Sequence, residues 1–275
     1  MDIISAIAPG IILGIVQGIT EFLPVSSTGH LILARDVLGF SSEYGLAFDA
    51  VLHLATAGAV MVYFWRDFLS LAYNAYRMVV RKGVDPKTKT LLFGLILGTI
   101  PVVVLGLYLE ESMETVFRST TVVAWTLIAG SLLMLFAEYV HTRTRNTFAT
   151  ASLTVYKAVA IGFFQVLALI PGMSRSGATI SGGLLLGISR EDAARFAFLL
   201  SFPVILGAGL KKFVELETSG ALASDASLII AGAISAFVVG LAAIHFMITF
   251  LRSHTLIPFV VYRVALALGI LFFTL

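Results

Sequence analysis

Long apolar runs separated by short polar clusters dominate this chain, and the runs show no strand-like alternation. Runs at 46–65, 91–109, 119–139, 194–213, 227–251 and 256–275 reach membrane-spanning length, roughly 20 residues for a helix crossing a hydrocarbon core. Such a pattern predicts membrane helices rather than a β-barrel. Two further apolar segments, 1–40 and 153–188, are interrupted at Leu23-Pro24 and Pro171-Gly172. Their arms are too short or too broken to form two full spans each, which predicts re-entrant helix–loop–helix hairpins. Irregular backbone at membrane depth is tolerated only inside protein or beside water. The two polar loops are therefore expected to face each other near the midplane.

The interrupted segments also resemble one another. Residues 14–48 align without a gap on 162–196, an offset of 148. The identical pairs are Gly14/Gly162, Gln17/Gln165, Ser26/Ser174, Gly29/Gly177, Leu38/Leu186, Gly39/Gly187, Ser41/Ser189, Glu43/Glu191 and Phe48/Phe196. Each copy continues into three spans, an odd number, so the second copy must enter the membrane with opposite polarity. The expected fold is an all-α polytopic membrane protein in which inverted repeats, about 1–140 and 150–275, build a single domain over 1–275. It holds six transmembrane helices plus two re-entrant hairpins, the first entering from outside and the second from the cytoplasm. Broken helices of inverted repeats meet near the midplane.

Composition agrees with a membrane protein. The 275 residues are 59% hydrophobic and 12% charged, where a soluble domain carries about a quarter charged residues; mean hydropathy is +0.99. There is no cysteine, which excludes disulfides and thiol chemistry. The N-terminus lacks a basic n-region and a cleavage site, so no signal peptide is expected. Loop charges set the orientation. The 66–90 connection carries Arg66, Arg77, Arg81, Lys82, Lys87 and Lys89, and 140–157 carries Arg143, Arg145 and Lys157. The 110–118 connection instead holds Glu110, Glu111 and Glu114 against Arg118. By the positive-inside rule the first two are cytoplasmic and the third is outside. Continuing the alternation places 214–226, with Glu215, Glu217 and Asp225, outside and Arg252 inside.

The two interruptions carry the candidate chemistry. In QGITEFLPVSSTGH, Gln17 and Glu21 are four residues apart on one helix face, and Ser26, Ser27, Thr28, Gly29 and His30 follow Pro24. The hydroxyls of Ser26 to Thr28 are equally readable as caps of the next helix. An ionisable group at membrane depth is costly and functional by default, which singles out Glu21 and His30. His30 within a turn of Ser27 reads as a nucleophile with its acid/base partner. In PGMSRSGAT, Arg175 lies between Ser174 and Ser176 at the start of a helix, with Gly172 and Gly177 permitting close backbone approach. Helix N-termini bind phosphate, and a guanidinium adds always-charged paired donors. Gln17 and Glu21 beside such a cradle imply a hard divalent cation shared with substrate oxygens. The reaction class is phosphoryl transfer to water, on a substrate arriving from the bilayer.

Gln17-x-x-x-Glu21, then Pro24-Val25-Ser26-Ser27-Thr28-Gly29-His30, and the run Pro171 to Thr179 closely resemble the two signatures of the bacterial undecaprenyl-diphosphate phosphatase (bacitracin resistance) family. The resemblance extends over essentially the whole chain. It implies hydrolysis of undecaprenyl diphosphate to the monophosphate carrier, dependence on Mg²⁺ or Ca²⁺, and a site opening to the periplasmic side of the bacterial inner membrane. Carried over residue by residue, the catalytic group is Glu21, Ser27, His30 and Arg175. Substrate contacts fall to Gln17, Ser26, Thr28, Ser174, Ser176 and Thr179, and metal contacts to Glu21 and Gln17. Gln17 stands where the family has Glu or Gln, which here removes one anionic ligand. Ser27 is expected as nucleophile, His30 as its acid/base, Glu21 as metal ligand or activator and Arg175 as diphosphate clamp; the rival assignment is a phosphohistidine at His30. Expected partners are undecaprenyl and shorter prenyl diphosphates and membrane lipids, with a homodimer left open.

Other polar residues carry weaker signals. Asp49 and His53 are read as lining the cavity mouth, hydrating a metal or anchoring at the interface. His245 and Arg263 are read as structural, Trp65 and Trp125 as an interfacial belt, and Arg190-Glu191-Asp192 as a solvated turn with a helix-start charge preference. No nucleotide loop, metal-binding Cys/His spacing or nucleic-acid pattern occurs. Nor does the Lys/Arg-Pro motif with two separated histidines that an acid-phosphatase-like membrane enzyme requires. A lipid-phosphate flippase or small-anion transporter is the alternative, because inverted repeats with broken helices are also a transporter layout. A positioned nucleophile favours chemistry.

Overall fold

The computed structural model describes residues 3–39, 45–115, 119–144, 152–218 and 226–274. Among these the chain forms eleven α-helices and no strand. In the first half they are α1 (Ile3–Phe22), α2 (Ser27–Leu38), α3 (Gly45–Tyr63), α4 (Trp65–Val79), α5 (Pro86–Thr115) and α6 (Thr120–Thr144). The second half holds α7 (Val155–Leu167), α8 (Arg175–Leu185), α9 (Arg190–Thr218), α10 (Ala226–Phe250) and α11 (Ile257–Thr274). Several start where local chemistry says they should. Asp85 accepts the backbone N–H and hydroxyl of Thr88, both at 2.8 Å, just before Pro86 opens α5. Ser189 and Asp192 cap α9 reciprocally, at 2.6 and 3.1 Å.

The chain is a multi-pass membrane protein. Four helices are long and apolar enough to cross: α5 over Pro86–Leu109, α6 over Thr120–Thr144, α9 over Arg190–Val214 and α10 over Ala226–Phe250. They coincide with the expected spans at 91–109, 119–139, 194–213 and 227–251. The run at 46–65 becomes α3, which ends at Tyr63 and turns by 77° into α4; if the pair is one broken span, it is the fifth. The run at 256–275 becomes a shorter apolar helix, Ile257–Phe273. The 66–90 connection is not the plain loop that its charges imply, because α4 occupies its first half. Trp65, Leu69, Tyr73 and Tyr76 are exposed at helical spacing, while Leu71 and Asn74 are buried. That periodicity was present in the sequence but masked by the density of charge. The orienting residues Glu110, Glu111, Glu114, Arg118, Arg145, Glu215, Glu217 and Asp225, with Ser41 and Glu43 of the repeat, have side chains outside the described residues.

Both interrupted segments break where their proline and glycine fall. Ser26 and Ser174, the N-caps of α2 and α8, have φ of 77° and 71°, and Gly39 and Gly187, just after those helices, have 62° and 77°. These left-handed positions are the same residues that pair at the 148 offset. The arms before the breaks also cross a neighbour in matching ways. A Cβ at Gly14 would collide with the Gly232 carbonyl of α10, and one at Gly162 with the Gly98 carbonyl of α5. Small residues let membrane helices approach backbone to backbone, which seats α1 on α10 and α7 on α5 and carries both breaks into the interior.

Partly buried ion pairs tie these elements together. Glu138 of α6, 3% exposed, accepts Arg190 Nε at 2.9 Å and the Leu256 N–H at 2.8 Å, joining α6, α9 and the start of α11. Arg190 therefore does not belong to a solvated turn: its apolar surroundings make the paired state the favoured one. Arg35 of α2 pairs with Asp49 of α3 at 2.9 Å, which gives Asp49 a structural tether.

Candidate active site

Gln17 and Glu21 occupy the last two turns of α1, 0% and 6% exposed, so the i, i+4 spacing places both inside the protein. The chain leaves α1 at Phe22, passes Pro24, takes the left-handed conformation at Ser26 and starts α2 at Ser27. That sharp return puts Ser27 Oγ 2.8 Å from Glu21 Oε2, to which it donates. Ser26 makes no side-chain cap bond. Its carbonyl instead accepts from His30, at 3.3 Å from the backbone N and 2.8 Å from Nδ1.

The second break delivers its residues to the same place. Ser174 caps α8 by accepting the Gly177 N–H at 3.2 Å, which leaves Arg175 as the first residue of that helix. Arg175 Nη2 lies 3.5 Å from Glu21 Oε1. Ser176 Oγ donates to the Leu23 carbonyl at 3.1 Å, a direct bond from one loop to the other across 153 residues of sequence. The convergence of the two loops is thus observed. Thr179 Oγ1 donates to the Arg175 carbonyl at 2.7 Å, and Thr28 is exposed on α2.

Hydrogen-bond chemistry fixes the tautomers. The Ser26 carbonyl can only accept, so His30 Nδ1 carries a proton, and in the neutral ring Nε2 then accepts the Tyr262 hydroxyl at 2.6 Å, with the two rings stacked at 5.6 Å. Both nitrogens of His30 are thereby occupied away from Ser27. Sequence proximity suggested a Ser27–His30 pair; the fold pairs Ser27 with Glu21 instead, because the first turn of α2 carries the imidazole toward α11. Gln17 Nε2 donates to Glu21 at 3.0 Å and lies 2.9 Å from His53 Nδ1, which therefore accepts. The reverse amide orientation would set its oxygen against the carboxylate. His53 is also 3.5 Å from Glu21, so it belongs to the site rather than to an interface anchor.

A family model for bacitracin resistance protein BacA matches residues 10–269. The chain belongs to the BacA family. The undecaprenyl-diphosphatase of Rubrobacter xylanophilus is 42% identical over 259 residues, covering 94% of this chain and 94% of that protein. That of Chloroherpeton thalassium is 40% identical over 280 residues, covering 98% and 96%. That of Myxococcus xanthus is 42% identical over 265 residues, covering 95% and 86%.

For a BacA-family site, two buried atoms stand out. Arg175 Nη1 and Gln17 Oε1 have no hydrogen-bond partner, although unpaired buried polar atoms are costly. One is a charged donor and the other a neutral acceptor, the complement of a phosphate and of a cation respectively. Among the described residues no group of three His, Asp or Glu is placed to hold a metal. Glu21 and Gln17 Oε1 nevertheless fit a hard divalent ion, which typically takes one or two carboxylates and completes its shell with water and substrate phosphates. Tyr262 and Arg263 gave no functional signal in the sequence. They lie more than 230 residues beyond His30 and Pro24, and only folding makes them neighbours.

Proposed function

We propose that this chain hydrolyses undecaprenyl diphosphate to undecaprenyl phosphate and inorganic phosphate, as the names of its relatives describe for them. The observation that carries the reading is Ser27 donating to Glu21 directly beside Arg175, whose Nη1 is buried and unpaired. In the first step Ser27 Oγ attacks the terminal phosphorus while its proton passes to Glu21. The bond from that phosphorus to the bridging oxygen breaks, and undecaprenyl phosphate leaves. Arg175 and the N–H groups at the start of α8 hold the transferring phosphoryl oxygens. In the second step water attacks the phosphorus of phospho-Ser27, the bond from Ser27 Oγ to that phosphorus breaks, Oγ takes its proton back from Glu21, and phosphate leaves. His30, held by Ser26 so that Nε2 is its basic nitrogen, takes the water's proton once Tyr262 yields. Mg²⁺ or Ca²⁺, held by Glu21, Gln17 Oε1 and diphosphate oxygens, would neutralise charge on the leaving group.

The same reading places six transmembrane helices around two re-entrant hairpins, α1–α2 and α7–α8, related as inverted repeats. The paired left-handed residues and paired glycine crossings support it. The site then opens to the periplasmic side of the inner membrane, where shorter prenyl diphosphates also reach it from the lipid. Phosphate release from undecaprenyl and farnesyl diphosphate in detergent, with and without chelator, tests the activity. Trapping the phosphorylated intermediate tests the roles: label on Ser27 is expected, and label on His30 would replace Ser27 as nucleophile.

A further inference from the structure

Arg263 sits in the middle of α11 and is fully buried, 0% exposed. Its guanidinium fans out to both chain breaks. Nη1 donates to the Pro24 carbonyl at 3.2 Å, in the loop that carries Ser27. Nη2 reaches the Gly172 and Met173 carbonyls at 3.0 and 3.2 Å, in the loop that carries Arg175. It also lies 3.1 Å from the Leu127 carbonyl, and Nε donates to Ser131 Oγ at 3.0 Å, which anchors the fork to α6. A broken helix strips carbonyls of their partners, and in a membrane interior these must be satisfied by protein. One planar fork does so for both breaks, where a compact ammonium with its point charge does not match the same geometry. The neighbouring helix is shaped for it: a Cβ at Gly130 would overlap Nη2 and crowd the Met173 carbonyl.

Pro24 precedes Ser27 by three residues, and Met173 precedes Arg175 by two. Both half-sites are thus registered from one rigid point that touches neither reacting group. Building on the phosphatase reading above, we propose that Arg263 is a positioning residue: it clasps the two loops together and sets the spacing between the Ser27–Glu21 pair and Arg175.

Hydrogen exchange read by mass spectrometry tests the clasp independently of activity, using Arg263→Lys, Gly130→Ala and, as a control, Gly269→Ala, whose added Cβ meets nothing within 4 Å. Arg263→Lys and Gly130→Ala are expected to speed exchange in peptides covering 23–30 and 171–179 together. The control leaves both unchanged. Faster exchange in only one loop, or spread evenly over the molecule, overturns the clasp. If Arg263→Lys does not fold, Gly130→Ala decides, because it retains the arginine and improves helix propensity. Kinetics supply the second reading. A displacement of about 1 Å lowers kcat by on the order of 100-fold, and that loss is expected for the monodisperse folded fraction of either variant. Combined with Arg175→Lys, the loss from Arg263→Lys is expected to shrink well below its single-variant factor; full multiplication of the two factors overturns positioning. Wild-type protein releasing no phosphate would remove the proposed function, while the exchange data would still decide the role of Arg263.

Discussion

Glu21 is where the charges of the two loops meet. Its carboxylate takes the Ser27 hydroxyl and the Gln17 amide, with Arg175 and His53 at 3.5 Å. Glu21→Gln keeps the shape but removes both the negative charge and the proton acceptor, so phosphate release is expected to fall by roughly 10²–10⁴-fold. An active Glu21→Gln variant would show that another group deprotonates Ser27. Gln17→Glu tests the metal contact separately. It restores an anionic oxygen beside Glu21, and the Mg²⁺ concentration for half-maximal activity is expected to drop about tenfold, measured against a chelator series. An unchanged titration would take Gln17 out of the metal's surroundings. At this scale the sequence displayed the ingredients, because Gln17, Glu21, Ser27, His30 and Arg175 are polar groups in apolar surroundings. It did not display who bonds to whom. His30 is closer to Ser27 in sequence than Glu21 is, yet helix direction turns it toward Tyr262.

Among the elements, α4 departs furthest from what the charge pattern implies. Its exposed aromatic residues share a face, and the Arg66 and Arg77 guanidinium groups lie 5.3 Å and 5.7 Å from the Trp65 and Tyr73 rings. A helix bent away from α3 with such a face suits the membrane–water interface, and α4 is expected to lie there. In a Trp125→Phe background, Trp65 fluorescence is expected to be quenched more strongly by lipids brominated near the headgroup than by lipids brominated at mid-chain. The reverse order would place α4 across the bilayer. The glycine crossings provide a second test. Gly162→Ala forces α7 away from α5 at the Gly98 carbonyl and is expected to cost about 1–3 kcal/mol, the usual range for overpacking, as a lowered thermal midpoint in detergent. The two helix breaks were legible in the sequence, since Pro24, Pro171 and Gly172 interrupt apolar runs. The 77° bend after Tyr63 was not, because no proline or glycine marks it.

Across the whole molecule, the inverted-repeat reading makes one demand that labelling can check. The chain has no cysteine, so single cysteines report without background. A cysteine at Lys82 is expected to react with impermeant maleimide only from the cytoplasmic side, and one at Thr28 only from the periplasmic side. Labelling of both from one face would undo the expected topology. By itself, the sequence determined that the chain is helical and membrane-bound, where it breaks, and which polar residues interrupt its apolar runs. These follow from the cost of burying unpaired polar groups in hydrocarbon, a cost that acts on each segment separately. Tertiary structure decided the pairing of Ser27 with Glu21, the entry of His53, and the buried Glu138–Arg190 tie. It also decided the convergence of two carbonyl-rich loops on Arg263. The Ser27–Glu21 bond closes over the six-residue turn at Pro24; the others are directional bonds between segments far apart in the chain, and only the packing of α1, α3, α6, α9, α11 and the two loops sets their distances.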